Sequence, residues 1–201
     1  MRHAQTLRHL RVAPSTLRGF TLIEMMVAVA IAAIIALFAV PSFRAITVNT
    51  RMTSAISDLQ ASLMNARTEA LQRATPVVVA PIGTSWLNGW TTTLTPATGA
   101  ATQLQTRAAV VDVSKDTSIA VSYASGPFAS STPLRFDSQG YARGAVAGSA
   151  VSGSFLAGCM TLQTENGKHL SLIMAASGRL RTCDPDLDSS CATSCAAANP
   201  S

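Results

Sequence analysis

Charge and aromatic rings are scarce in this chain of 201 residues, at 12% and 5% of the total. The few carboxylates form no pair placed for general acid–base work, and no phosphate-cradling glycine loop is present. Histidine is scarcer still, at three. His3 and His9 fall in the first nineteen residues, which leaves His169 for any Ser–His–Asp site. It stands beside a predicted hairpin turn, where a solvated strand residue is expected. The four cysteines, Cys159, Cys183, Cys191 and Cys195, have no histidine or further cysteine at ligand spacing, so neither a metal nor another cofactor is expected. These absences argue against an enzyme.

What the chain does have is one long apolar run. After Gly19, residues 20–40 carry only Thr21 and Glu24 as polar interruptions. About 20 apolar residues in a helix rise about 30 Å, the thickness of a bilayer core. A carboxylate inside hydrocarbon costs at least ~2.5 kcal/mol, so Glu24 needs a partner and a function. A secretory signal would have a shorter apolar core and a small-x-small cleavage site. This run fits neither that nor a plain anchor.

Gly19-Phe20-Thr21-Leu22-Ile23-Glu24 behind a basic leader resembles the processing site of type IV pilins and type II secretion pseudopilins. The resemblance implies cleavage by a prepilin peptidase between Gly19 and Phe20, and N-methylation of Phe20. It also implies that Glu24 pairs with the N-terminal amine of a neighbouring subunit during assembly. Opposite charges attract strongly in a low-dielectric bundle, so such a pair can select register.

The formal charge of +5 sits mostly in the leader, at Arg2, Arg8, Arg11 and Arg18, which leaves 11 basic and 10 acidic residues beyond it. The leader charges follow the positive-inside rule. They predict a single pass with the N-terminus cytoplasmic and the rest outside, and the resemblance implies that the membrane is a bacterial inner membrane and the far side the periplasm. There disulfides persist, and four cysteines allow three pairings.

Along the chain, residues 1–19 are expected to be removed, and residues 20–43 to form a membrane or filament-core helix kinked by Pro41. Residues 44–76 should continue it as an amphipathic spine. Met52, Ile56, Leu59, Leu63, Ala66 and Ala70 recur every three or four positions, and Pro76 ends the helix. Residues 77–183 then read as β structure, and 184–201 as a tail. Strand character marks 77–79, 90–94, 108–113, 118–123, 133–136, 155–163 and 170–175. Residues 95–106 and 141–153 read as loops or edge hairpins. Asn166-Gly167 predicts a type I′ hairpin turn. The class is α+β: a long N-terminal helix, its first half transmembrane, packed on an antiparallel sheet or sandwich.

Trp86-Leu87-Asn88-Gly89-Trp90 is similar to the W-x-x-G-W signature of GspH/FimT-type minor pilins. Residues 134–140, Leu-Arg-Phe-Asp-Ser-Gln-Gly, and Gly178-Arg179-Leu180-Arg181 resemble two later elements of that family, in the same order. The tryptophans are expected to pack in the core. The resemblance implies a structural subunit of a type IV pilus or secretion pseudopilus, in contact with other pilins and the inner membrane. It also offers an alternative, a DNA-capturing minor pilin for natural transformation. Arg179 and Arg181 share one side of an extended segment, and Lys168 and Arg143 could extend the patch toward phosphates. Asp184, Asp186 and Asp188 follow directly and oppose a polyanion. The hairpin arrangement favours Cys159–Cys183 and Cys191–Cys195 as the disulfides.

Overall fold

The computed structural model describes residues 19–108, 117–129, 132–144, 154–191 and 195. It divides into two compact units, Met1–Ser42 and Phe43–Ser201. One helix, α1 (Leu22–Gln72), supplies residues to both. It contains no glycine and one proline, and it is assigned as helix through Pro41. The expected kink at Pro41 involves a side chain outside the described residues.

In the first unit the described side chains from Gly19 to Ala36 are all exposed. Among the described residues no helix is long and apolar enough to cross a membrane. The described side chains of the apolar run end at Ala36.

In the second unit the same helix buries one stripe. Val48, Met52, Ala55, Ile56, Leu59, Leu63, Ala66 and Ala70 are all buried, the expected positions and two more. Each large apolar side chain so buried contributes on the order of 1.5–3 kcal/mol. Glu69 and Arg73 pair at i,i+4 on the exposed side. The helix stops at Gln72, four residues before Pro76, by a Schellman closure, with Thr75 N–H bonded to Ala70 O at 3.2 Å and Ala74 N–H to Leu71 O at 3.4 Å. Ala74 therefore takes φ +47°, a left-handed conformation in which glycine is usual.

Two antiparallel sheets cover the stripe. The first has the order β3-β2-β1-β5-β6, from β1 (Val77–Pro81), β2 (Gly89–Leu94), β3 (Thr102–Ala108), β5 (Leu134–Phe136) and β6 (Ala142–Gly144). The second has the order β4-β7-β8-β9, from β4 (Ile119–Ser125), β7 (Gly158–Thr164), β8 (His169–Met174) and β9 (Leu180–Cys183). Val77, Val79, Leu134 and Phe136 bring the first sheet into the core, and Met160, Leu162, Leu172 and Met174 the second. The outer side of β7 and β8 is buried too, because Cys159 and Ile173 pack beneath Cys191 and Cys195 of the tail.

Several expectations change. Residues 102–106, within the stretch read as loop or edge hairpin, belong to the edge strand β3, a polar strand whose side chains are largely exposed and so carry no apolar alternation. The strand expected over 108–113 falls, past Ala108, outside the described residues. The 141–153 stretch contains the edge strand β6, and its remainder from 145 lies outside the described residues. The Asn-Gly hairpin forms, but not as type I′. Gly167 alone has positive φ, at 78°, while Gly167 N–H bonds Thr164 O and Thr164 N–H bonds Lys168 O, both at 2.9 Å. This is a type I turn closed by a glycine bulge, which needs only one left-handed residue.

All four cysteines form disulfides, but the pairing is Cys159–Cys195 and Cys183–Cys191, with Cα separations of 5.3 and 5.9 Å. The expected Cys159–Cys183 and Cys191–Cys195 bonds are absent. Cys183 ends the far strand β9, whereas β7 and β8 bring Cys159 opposite Ile173, where the folded-back tail delivers Cys195.

Candidate functional site

The Gly19–Phe20 junction lies just outside the helix. Gly19 and Phe20 are exposed and non-helical, and a Cβ at Gly19 would meet nothing within 4 Å. Thr21 then caps the helix. Its Oγ1 accepts Glu24 N–H at 3.3 Å, while Glu24 Oε2 accepts Thr21 N–H at 3.5 Å. This is a capping box, Thr-x-x-Glu, whose spacing is legible in the sequence beside the assembly role that the resemblance implies for Glu24. In the isolated chain the Glu24 carboxylate satisfies its own helix start.

The motif glycines meet around a residue the sequence reading passed over. Arg67 Nε donates to Gly140 O at 3.0 Å, and its Nη2 to Ser177 O at 3.1 Å. A Cβ at Gly178 would collide with the Gly140 carbonyl oxygen, and one at Gly140 (φ +78°) would crowd Leu71 and Arg67. The two loops therefore approach as closely as backbone allows. Asp137 organises the first of them, its Oδ1 accepting Gln139 and Tyr141 N–H at 3.0 and 2.9 Å. Its Oδ2 accepts Arg143 Nε at 3.0 Å. Burial pushes the Asp137 carboxyl up, but Tyr141 N–H, the Arg143 side chain and Gln139 N–H outweigh it. The group is held below the usual carboxylate value.

Trp86 and Trp90 are core residues. Trp86 packs edge-on against Phe128 at 5.6 Å and donates Nε1–H to Pro127 O at 3.0 Å. A one-turn 3-10 helix, capped by Ser85 Oγ on Leu87 N–H, folds between them and ends at Gly89 (φ 97°).

The basic candidates are dispersed or engaged. Arg179 is exposed just before β9, and Lys168 is exposed at the β7–β8 turn. Arg181 donates to Ser190 O at 3.4 Å, so it faces the tail. Arg143 does not join them, since it belongs to the other sheet and pairs with Asp137. The acids after Cys183 are built into the fold. Asp186 accepts His169 N–H at 3.1 Å and meets His169 Nδ1 at 2.9 Å, so His169 is a tail anchor rather than a solvated strand residue. The side chain and N–H of His169 hold the Asp186 carboxyl below its usual value, and the side chain and N–H of Ser190 do the same for Asp188. Among the described residues no group of three or more His, Cys, Asp or Glu could hold a metal ion.

Residues 55–178, from the buried helix stripe to the Gly178 turn, match the family model of the type II transport protein GspH. The chain belongs to that family. Residues 17–40 match the prokaryotic N-terminal methylation motif, which spans the Gly19–Phe20 site and Glu24. This GspH-family chain is thus a pilin-like protein of the type IV pilus and type II secretion class. A comparison with curated proteins found no match. Two crystal forms of the type IV minor pilin FimU of Pseudomonas aeruginosa are similar to it at 18% identity. One has a TM-score of 0.46 and covers 66% of this chain and 88% of FimU. The other has a TM-score of 0.44 and covers 65% and 91%.

Proposed function

We propose that this chain is a minor pilin or H-type pseudopilin, held in a bacterial inner membrane and then drawn into a filament. A prepilin peptidase removes residues 1–19 and Phe20 becomes the methylated N-terminus. Residues 20–43 form the membrane and filament-core helix, 44–76 the spine, 77–183 a periplasmic domain and 184–201 its tail. The observation that carries this reading is the described part of the helix in the first unit, residues 22–36, whose apolar side chains are exposed on every side. Such a surface has no use in water, and it is covered either by lipid or by like helices. Once Phe20 carries a free amine, Glu24 can leave its own cap for the amine of a neighbour.

Mass spectrometry of the chain co-produced with a prepilin peptidase should find a methylated Phe20 N-terminus. Gly19→Val should leave the leader attached, because a side chain there obstructs the peptidase. An intact Met1 terminus in the unaltered chain would end the reading. Glu24→Ala should insert into membranes more readily yet be depleted from sheared filaments, and wild-type amounts there would remove the pairing role.

DNA capture by Arg179, Arg181 and Lys168 is the weaker reading, because the tail supplies Arg181 and Lys168 with carboxylates nearby.

A further inference from the structure

Two exposed features of the domain remain unused, and their chemistry is complementary. The first is an aromatic patch beside the edge strand β6. Phe155 is 55% exposed and Tyr141 39%, with ring centroids 5.4 Å apart in a T-shaped pair. The Arg143 guanidinium lies 3.7 Å over the Phe155 ring. Asp137 fixes it through Nε, and its terminal nitrogens make no hydrogen bond among the described residues. Aromatic rings with an arginine are the residue types that concentrate binding energy at protein interfaces. The strand edge itself is covered, since Gly144 N–H bonds Ser154 O and Leu156 N–H bonds Ala142 O. The patch therefore reads side chains rather than backbone. A nucleic acid wants several free cations along a path, whereas here one arginine already shares a carboxylate.

The second feature is the loop closed by Cys183–Cys191. Leu187 at its tip is 87% exposed, more than any other large apolar side chain described. Asp186 and Asp188 flank it. The loop is rigid: Leu187 and Asp188 N–H both bond Asp184 O, Asp186 is tied to His169, and Ser190 O meets Arg181. Fixing an apolar tip in water this firmly lowers the entropy cost of docking it elsewhere.

The positions of the two features decide the occupant. The tip is held at the His169 end of β8. The patch lies past the Met174 end, where Ala142 N–H bonds Ala176 O at 3.1 Å. At about 3.3 Å per residue the ends of β8 are roughly 17 Å apart. Tied down at His169 and by the disulfide, the loop cannot reach its own patch.

We propose that the patch takes the loop of a second copy of this chain, with Leu187 on Phe155 and Tyr141 and the flanking carboxylates toward Arg143. The contact joins two different surfaces, the loop of one copy and the patch of the other. It rests on the filament reading for its setting, but its test does not depend on processing or assembly.

Full-length chain in detergent micelles, with the photo-cross-linker benzoylphenylalanine in place of Leu187, is mixed with isotopically heavy unaltered chain and irradiated. Light peptides carrying position 187 should join heavy peptides carrying Tyr141 or Phe155. Phe155→Ala in the heavy chain should lower that yield about tenfold, about 1.4 kcal/mol. In a separate sedimentation experiment Leu187→Ala, at a position too exposed to unfold the domain, should weaken self-association by a similar factor. Cross-links within one chain, to another surface, or none at all would overturn the contact. Loss of Phe20 methylation would instead bear on the functional reading alone.

Discussion

The two halves of α1 share a backbone and differ in what they ask of their surroundings. Between Val48 and Ala70 the apolar residues keep to one stripe, and the stripe is buried. Between Leu22 and Ile35 they occupy every side, and Leu22, Ile23, Met25, Met26, Val27, Val29, Ile31, Ile34 and Ile35 are all exposed. A stripe is satisfied by one chain's own sheets. An all-round apolar surface is satisfied only by something outside the chain, so the lesson lies in periodicity rather than in hydrophobicity.

The covalent support of the domain half is the largest effect to test. Closing the 36-residue separation of Cys159–Cys195 is worth about 4 kcal/mol in the chain-entropy account, and the 8-residue Cys183–Cys191 ring about 2.5. Cys159→Ser should therefore lower the urea midpoint more than Cys191→Ser, read by the fluorescence of the two core tryptophans. It should leave the helicity of residues 22–36 unchanged. Equal losses would show that loop length is not what governs the contribution. Packing comes next. Leu63→Ala should cost about 3 kcal/mol by the same readout, against less than about 0.5 for Ile31→Ala. A comparable loss at Ile31 would erase the contrast between the halves.

How far the sequence carried the fold follows from the same contrast. The stripe from Met52 to Ala70 repeats at helical spacing, and each predicted member is buried. Core strands such as β1 and β5 are short β-branched or aromatic runs beside turn signals. β3 escaped because Thr102-Gln103-Leu104-Gln105-Thr106 has little to bury. The disulfide pairing escaped for a different reason. It depends on the tail returning across β8, and nothing local announces that Asp186 will meet His169. Of the site residues, the exposed Gly19–Phe20 junction was legible as a motif, as was the capping box in hindsight. Arg67 was not, since its carbonyl partners lie 73 and 110 residues away.

Asp137 gives a smaller effect, confined to the domain half. Its folded value is depressed, so its contribution is complete above the unfolded value near 4 and is lost as pH falls through the folded value. Asp137→Asn should cost about 2 kcal/mol at neutral pH and flatten the stability profile below about pH 4. An unchanged acid limb in a pH series of urea titrations would count against that assignment. The smallest effect has the opposite sign. Ala74→Gly relieves the left-handed strain at the end of the helix and should stabilise the domain by about 0.5–1 kcal/mol, as a rise in midpoint at constant slope. A drop would mean that glycine's greater freedom in the unfolded chain outweighs the relief.

The order of the cysteines along the chain also sets an order in time. A chain made from its N-terminus presents Cys159 first, then Cys183, and only later Cys191 and Cys195. The earliest disulfide that can form is Cys159–Cys183, which the finished fold does not contain. Thiolate attack on that early bond by an arriving cysteine releases it, in seconds to hours depending on oxidant and isomerase. The hydrogen bonds of Asp186 to His169 and of Ser190 to Arg181 draw the tail over β8, bringing Cys195 to Cys159. Any chain that closes Cys159–Cys183 first reaches the finished pairing only through such a thiol exchange.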